Sequence, residues 1–127
     1  MYKSFKDMPI WRTAMDIAEK IFILTKNLPK NEDYSLTAQI RRSSLSISSN
    51  IAEGFGRKHS SDKNKFYYYA RGSVYETLSH LEYGIRVGYF NSPEISALDK
   101  SLQILARDLN MLISKIQANQ SPAKPQP

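Results

Sequence analysis

The chain has 127 residues, a mass of 14.6 kDa and a net charge of +6. With 41% hydrophobic and 24% charged residues it suits one globular domain and excludes wholesale disorder. It has no cysteine, which excludes a disulfide scaffold, thiolate metal sites and a cysteine nucleophile, and no apolar run approaches the ~18 residues of a membrane span.

Charges stand near the N-terminus where a secretory leader would carry its apolar stretch, so a cytoplasmic protein is expected. The first helix is predicted from about Pro9 to Asn27. Trp11, Ala14, Met15, Ala18, Ile21, Phe22 and Thr25 recur at three- and four-residue steps and form its apolar face. Pro29 stops it. A second helix is predicted from near Asn31, which can cap it, to Gly54-Phe55-Gly56. Its inner face is Leu36, Ile40, Ser43, Ile47, Ile51 and Gly54. A third helix follows, capped by Ser60 or Ser61 and ending near Tyr89. Phe66, Ala70, Ser73, Thr77, Leu81, Gly84–Ile85 and Gly88 lie along one face, widened by Tyr67, Val74 and Leu78.

The fourth helix has Ser92 as its expected cap, Pro93 at its first position and Glu94 next. Ile95, Leu98, Leu102, Leu105, Leu109, Leu112 and Ile116 keep an unbroken heptad pattern. Short connections make neighbouring helices antiparallel. The predicted fold is all-α, an up-down-up-down four-helix bundle over residues 1–119, followed by a disordered tail over 120–127.

Several stretches resemble the bacterial 23S rRNA intervening-sequence protein family. Phe5-Lys6-Asp7, Trp11, Ala14 and Leu28-Pro29 match near the start, followed by the run from Tyr34 to Ser43. The most specific block is Ser46-Ile47-Ser48-Ser49-Asn50-Ile51-Ala52-Glu53-Gly54. Ala70, Ser73 and Glu76 follow with the family's spacing, then Gly88-Tyr89. The resemblance covers about residues 5–116 and implies a ring-shaped homopentamer with no enzyme activity and no cofactor. A related group comprises accessory proteins of diversity-generating retroelements, basic pentamers that engage nucleic acid and a reverse transcriptase. RNA, DNA or a nucleic-acid-processing protein are therefore the expected partners beyond the chain itself. Many relatives have proline where this chain has Ser48, so a weaker kink is expected here.

The charge is unevenly placed. Residues 36–72 carry seven basic and two acidic side chains, and the rest of the chain carries eleven and ten. Arg57, Lys58, Lys63, Lys65 and Arg71 are candidate contacts for a phosphate backbone. The run Lys63-Asn64-Lys65-Phe66-Tyr67-Tyr68-Tyr69-Ala70-Arg71 interleaves aromatics with cations, as base stacking requires. Against this, Phe66 and Tyr69 are expected to pack inward or at a subunit contact. The alternative function is a structural or protein-interaction module whose basic residues only keep it soluble.

Gln39, Arg42, Ser46, Asn50 and Glu53 share one side of the second helix, and Ser73 and Glu76 one side of the third. Glu53 and Glu76 could serve as paired carboxylates in an enzyme. No nucleophile–base pair, phosphate-cradling loop or cofactor motif accompanies them. The favoured expectation is a buried polar network in which Arg42 and the two glutamates satisfy one another. The serines at 43, 44, 46, 48 and 49 suit close helix approach. His59 and His80 do not form the two Glu-x-x-His pairs of a di-iron bundle, so no metal is expected.

Overall fold

A computed structural model describes residues 1–120. Four helices make up the bundle: α1 (Pro9–Leu24), α2 (Leu36–Gly56), α3 (Ser60–Arg86) and α4 (Ser92–Ala118), with short 3₁₀ turns at Phe5–Asp7 and Lys30–Glu32. No strand occurs among the described residues. The helices run up-down-up-down. α1 packs beside α2 and α4, diagonal to α3, and the most extensive pairing is α2 with α3. Apart from Gln120, the tail expected over 120–127 lies outside the described residues.

Small side chains explain the closeness of α2 and α3. Ser43 and Thr77 share a buried hydrogen bond of 2.9 Å, and Ser73 donates to Ser46 at 3.1 Å. A Cβ on Gly54 would stand 2.5 Å from the Tyr67 ring, so glycine lets that ring approach α2 this closely. Ser48 is buried with its hydroxyl on the Leu45 carbonyl, and α2 runs through this position unbroken.

The inner faces of α2 and α4 largely follow the expected pattern. All six predicted positions of α2 are buried. In α4, Ile95, Leu98, Leu102, Leu105 and Leu109 are buried; Ile113 is then the fully buried position, with Leu112 and Ile116 half-buried against the core on either side of it. An untwisted helix drifts ~20° per heptad, and three heptads carry the seam past Leu112. α1 is rotated relative to expectation. Ala14, Ile17 and Ile21 are its buried residues, while Phe22 is half exposed.

Helix ends differ from the prediction for local reasons. α1 stops at Leu24 rather than Asn27: beyond Thr25 the Lys26 N–H reaches the Ile23 carbonyl and the Leu28 N–H the Thr25 carbonyl, tighter turns that lead into Pro29. Arg41 meanwhile donates to Thr25 Oγ1 and to the Phe22 carbonyl. Asn31 caps nothing. It lies in the 3₁₀ turn, and the Glu32 carboxylate accepts the Leu36 N–H at the true start of α2. α3 begins at Ser60 after His59, so neither Ser60 nor Ser61 is its cap residue. α3 ends at Arg86, and Gly88 at φ 87° then turns the chain so that the Tyr89 and Phe90 N–H groups both reach the Gly84 carbonyl. The cap of α4 is Asn91 rather than Ser92, its side chain accepting from the Glu94 N–H at 2.9 Å.

Candidate nucleic-acid interface

The antiparallel order brings the start of α1, the α2–α3 connection and the end of α4 to one end of the bundle. Asn64 in α3 donates to the Ile113 carbonyl of α4, and Phe5 lies beside Ser49, Ala52 and Gly56 of α2. Cutting every helix at its midpoint sorts the charges. The half holding residues 1–16, 46–73 and 105–120 carries ten basic side chains: Lys3, Lys6, Arg12, Arg57, Lys58, Lys63, Lys65, Arg71, Arg107 and Lys115. It carries five acidic ones. The other half, residues 17–45 and 74–104, carries seven of each. Thus the net positive charge of the described residues belongs to one half. Linear counting over 36–72 mixed the two, because Arg41 and Arg42 sit in the neutral half.

The five sequence candidates all lie in the basic half, with different commitments. Lys63 is spent internally: its ammonium donates to the Gly54 and Phe55 carbonyls at 3.2 and 2.8 Å, closing the end of α2. Burial there pushes its pKa down. Arg57 pairs with Glu53 at 3.2 Å and covers the Phe66 ring at 4.6 Å. Arg71 donates to Asn110 at 2.7 Å and stands over Tyr68 at 4.8 Å. Lys58 and Lys65 are exposed and have no ion-pair partner among the described residues. Lys3 and Lys6 add exposed charge that the window over 36–72 did not include.

Aromatic rings accompany these cations at the surface. Tyr69 is 51% exposed and Tyr68 40%, so of the two placements expected for Tyr69 inward packing is excluded and the subunit contact is not. Phe66 is half-buried and meets Tyr69 edge to face, with centroids 5.7 Å apart. Tyr67 is the one buried ring among Phe66, Tyr67, Tyr68 and Tyr69. Removal from water pushes its pKa up to about 12.

The expected polar network is only partly assembled, and it lies at the surface. Arg42 reaches Glu76 at 3.5 Å, as anticipated, but its side chain is 74% exposed rather than buried. Glu53 turns to Arg57 instead, one helical turn away. Asn50 donates to the Ser46 hydroxyl and carbonyl, and Ser73 joins through Ser46. Gln39 stands apart, beside Ser35, Ser79, His80 and Tyr83 at an open depression of about 280 Å³. Glu76 also contacts His80 at 3.2 Å. The two glutamates therefore serve different cations, and exposed pairs of this kind contribute ~0–1 kcal/mol each. The inner positions of the α2–α3 seam go to Ser43 and Thr77, which hydrogen-bond to each other.

Among the described residues, no group of three or more His, Asp or Glu is placed to hold a metal ion, and no helix is long and apolar enough to cross a membrane.

The 23S rRNA-intervening sequence protein family matches over residues 6–111. The chain belongs to this family. A crystal structure of a protein of unknown function from the S23 ribosomal protein family of Bacteroides thetaiotaomicron superposes with a TM-score of 0.74 at 21% identity. The match covers 82% of this chain and 97% of that one. At that identity the likeness speaks for the fold. No curated protein matches the chain. The family match ends at residue 111 and so includes most of the basic half, from Lys6 through the α2–α3 connection.

Proposed function

We propose that the chain is a non-enzymatic, cytoplasmic homo-oligomer, a pentameric ring by its family resemblance. Its basic half binds the phosphate backbone of RNA or DNA, alone or beside a nucleic-acid-processing protein. The observation that carries this reading is the partition of charge, with the excess gathered at one end from segments far apart in sequence. A local excess of cations is the electrostatic footprint of a polyanion partner. Lys58 and Lys65, exposed and unpaired, are its leading contacts, with Arg57 and Arg71 at its edge.

Self-association is supported by the outer face of α1 where it meets Leu45 of α2. Met15, Ala18, Phe22, Ile23 and Leu45 frame an open, almost wholly apolar depression of about 470 Å³. Exposed apolar patches of this kind mark interfaces. A ring would repeat the basic half around its axis and multiply the field on a bound strand.

The rival reading, a structural or protein-interaction module, draws on Lys63 and Arg57, whose charges are engaged inside the protomer. Size-exclusion chromatography with light scattering, run with and without RNA, decides between them. A complex that forms at ~50 mM salt and dissociates toward ~200 mM supports backbone binding. No complex at ~50 mM salt rejects it, and a monomer at micromolar concentration rejects the oligomer.

A further inference from the structure

We propose that the nucleic acid taken by the basic half is single-stranded, and that the outer surface of α3 around Lys65, Tyr68, Tyr69 and Gly72 is a platform for its bases. This rests on the reading of the basic half as a phosphate-binding surface and goes beyond it by naming the strand form and the residues that select it.

On a helix, positions three and four apart are neighbours. Lys65 is therefore the neighbour of both Tyr68 and Tyr69 on one side, and Gly72 is the neighbour of both on the other. The four residues form a diamond on the outward face of α3, with the ammonium at one corner and a bare backbone at the opposite one. Tyr68 and Tyr69 keep 40% and 51% of their surface in water. Both rings are held by neighbours, and the Tyr68 hydroxyl also accepts from the Gln117 amide of α4 at 3.4 Å. Arg71 stands over Tyr68, and the Phe66 ring meets Tyr69 at 88°. Such support fixes the rings while leaving them accessible.

Gly72 is the second observation. Glycine in an exposed helix interior costs ~1 kcal/mol relative to alanine. At Gly54 and Gly84 the fold explains glycine, since Tyr67 and Phe90 occupy the space of a side chain. At Gly72 nothing lies within 4 Å of the missing Cβ, and φ is not positive. No feature of the protomer accounts for it. The open notch lets a flat group lie against the helix between two tyrosines.

The chemistry of the diamond selects the ligand. A duplex hides the faces of its bases and presents phosphates, which lysines alone can meet. A single strand presents both, and stacking on aromatic side chains is tolerant of sequence because every base has a π-face. Lys65, and Lys58 near the start of α3, supply the phosphate contacts, and the tyrosines supply the stacking.

The test uses the full chain and fluorescence anisotropy with two probes, a labelled 20-nucleotide oligouridylate and a mixed-sequence 20-base-pair duplex. Tyr69→Ala should weaken oligouridylate binding about tenfold, within the range for loss of one stacked base, and leave duplex binding within about twofold. Tyr69→Phe should bind as wild type, because the ring is kept. Gly72→Leu fills the notch and should weaken oligouridylate binding with no change in helix content. Equal losses on both probes, or no loss from either Tyr69→Ala or Gly72→Leu, overturn the platform. So does a change of oligomer size in either variant, which would make this surface a subunit contact. A wild type that binds only duplex overturns the platform and leaves the basic half standing. Binding to neither probe removes both readings.

Discussion

The two halves of this bundle share a core but close their ends differently. In the neutral half the connections are tied to each other. The Tyr89 hydroxyl donates to Glu32 at 2.7 Å, joining the α3–α4 connection to the α1–α2 connection, and Phe90 fills the space over Gly84. In the basic half Lys63 closes the end of α2, Arg57 and Arg71 are held by Glu53 and Asn110, and Lys58 and Lys65 are left exposed. The neutral end uses its polar groups to hold the fold; the basic end leaves a surplus that the fold does not use. A surplus with no structural employment is where binding is to be sought.

The largest test concerns what the halves share. Leu105 lies close to the midpoint of α4 and is fully buried. Leu105→Ala should cost ~2–5 kcal/mol in denaturant unfolding and should leave any binding by the folded protein intact. A loss below ~0.5 kcal/mol, typical of a surface site, would break the core assignment.

Gly54→Ala sharpens the contrast between structural and unused glycines. Its methyl would meet the buried Tyr67 ring, and overpacking of this kind costs ~1–3 kcal/mol. Gly72→Ala meets nothing and should stabilise by up to ~1 kcal/mol. Equal effects in thermal melts would contradict the packing described.

Alkaline titration reaches both ends. Tyr67 in the basic half holds its proton up to about 12, because burial disfavours the phenolate. Tyr89 in the neutral half is also raised, first by its hydrogen bond to Glu32. A raised pKa means the folded state holds protons that the unfolded state has released. The contribution is complete below pH ~10, the ordinary tyrosine value, and is lost as pH rises through about 12 for Tyr67. Lys63 is lowered and acts in the opposite sense, adding stability as pH rises toward 10.5. Tyr67→Phe should flatten the decline in melting temperature; an unchanged decline would remove Tyr67 from the account. Tyr89→Phe should give the smallest loss of this series at neutral pH, read as faster amide exchange confined to the two connections it ties.

Much of this fold is legible in the sequence, for a physical reason. Burial repeats with helix period, so the inner faces of α2 and of α4 up to Leu109 can be read directly. Ile113 cannot, because the drift of a straight helix against a heptad appears only after several turns. Asn91 and Glu32 were missed because capping depends on which of several polar side chains reaches the first N–H groups. The charge excess was visible, but its location was not. Lys3, Lys6, Arg12, Arg107 and Lys115 join the α2–α3 connection only once the helices are antiparallel. The polar network was misplaced in depth because periodicity gives the side of a helix and not how far outward a long side chain extends. Of the side that Arg42 shares, Gln39 and Glu53 are exposed and Ser46 and Asn50 half-buried, so the stripe flanks the buried face of α2.

The central claim is that the basic half, and not total charge, contacts nucleic acid. The direct measurement is the salt dependence of oligouridylate affinity for two variants of equal net charge. Lys58→Gln/Lys65→Gln removes two exposed lysines from the basic half, and Lys30→Gln/Lys100→Gln removes two from the neutral half. The account predicts that the first pair weakens binding and lowers the salt slope by about one for each lysine lost, while the second pair leaves the slope unchanged. Equal reductions in both variants, or none in the first, would contradict it.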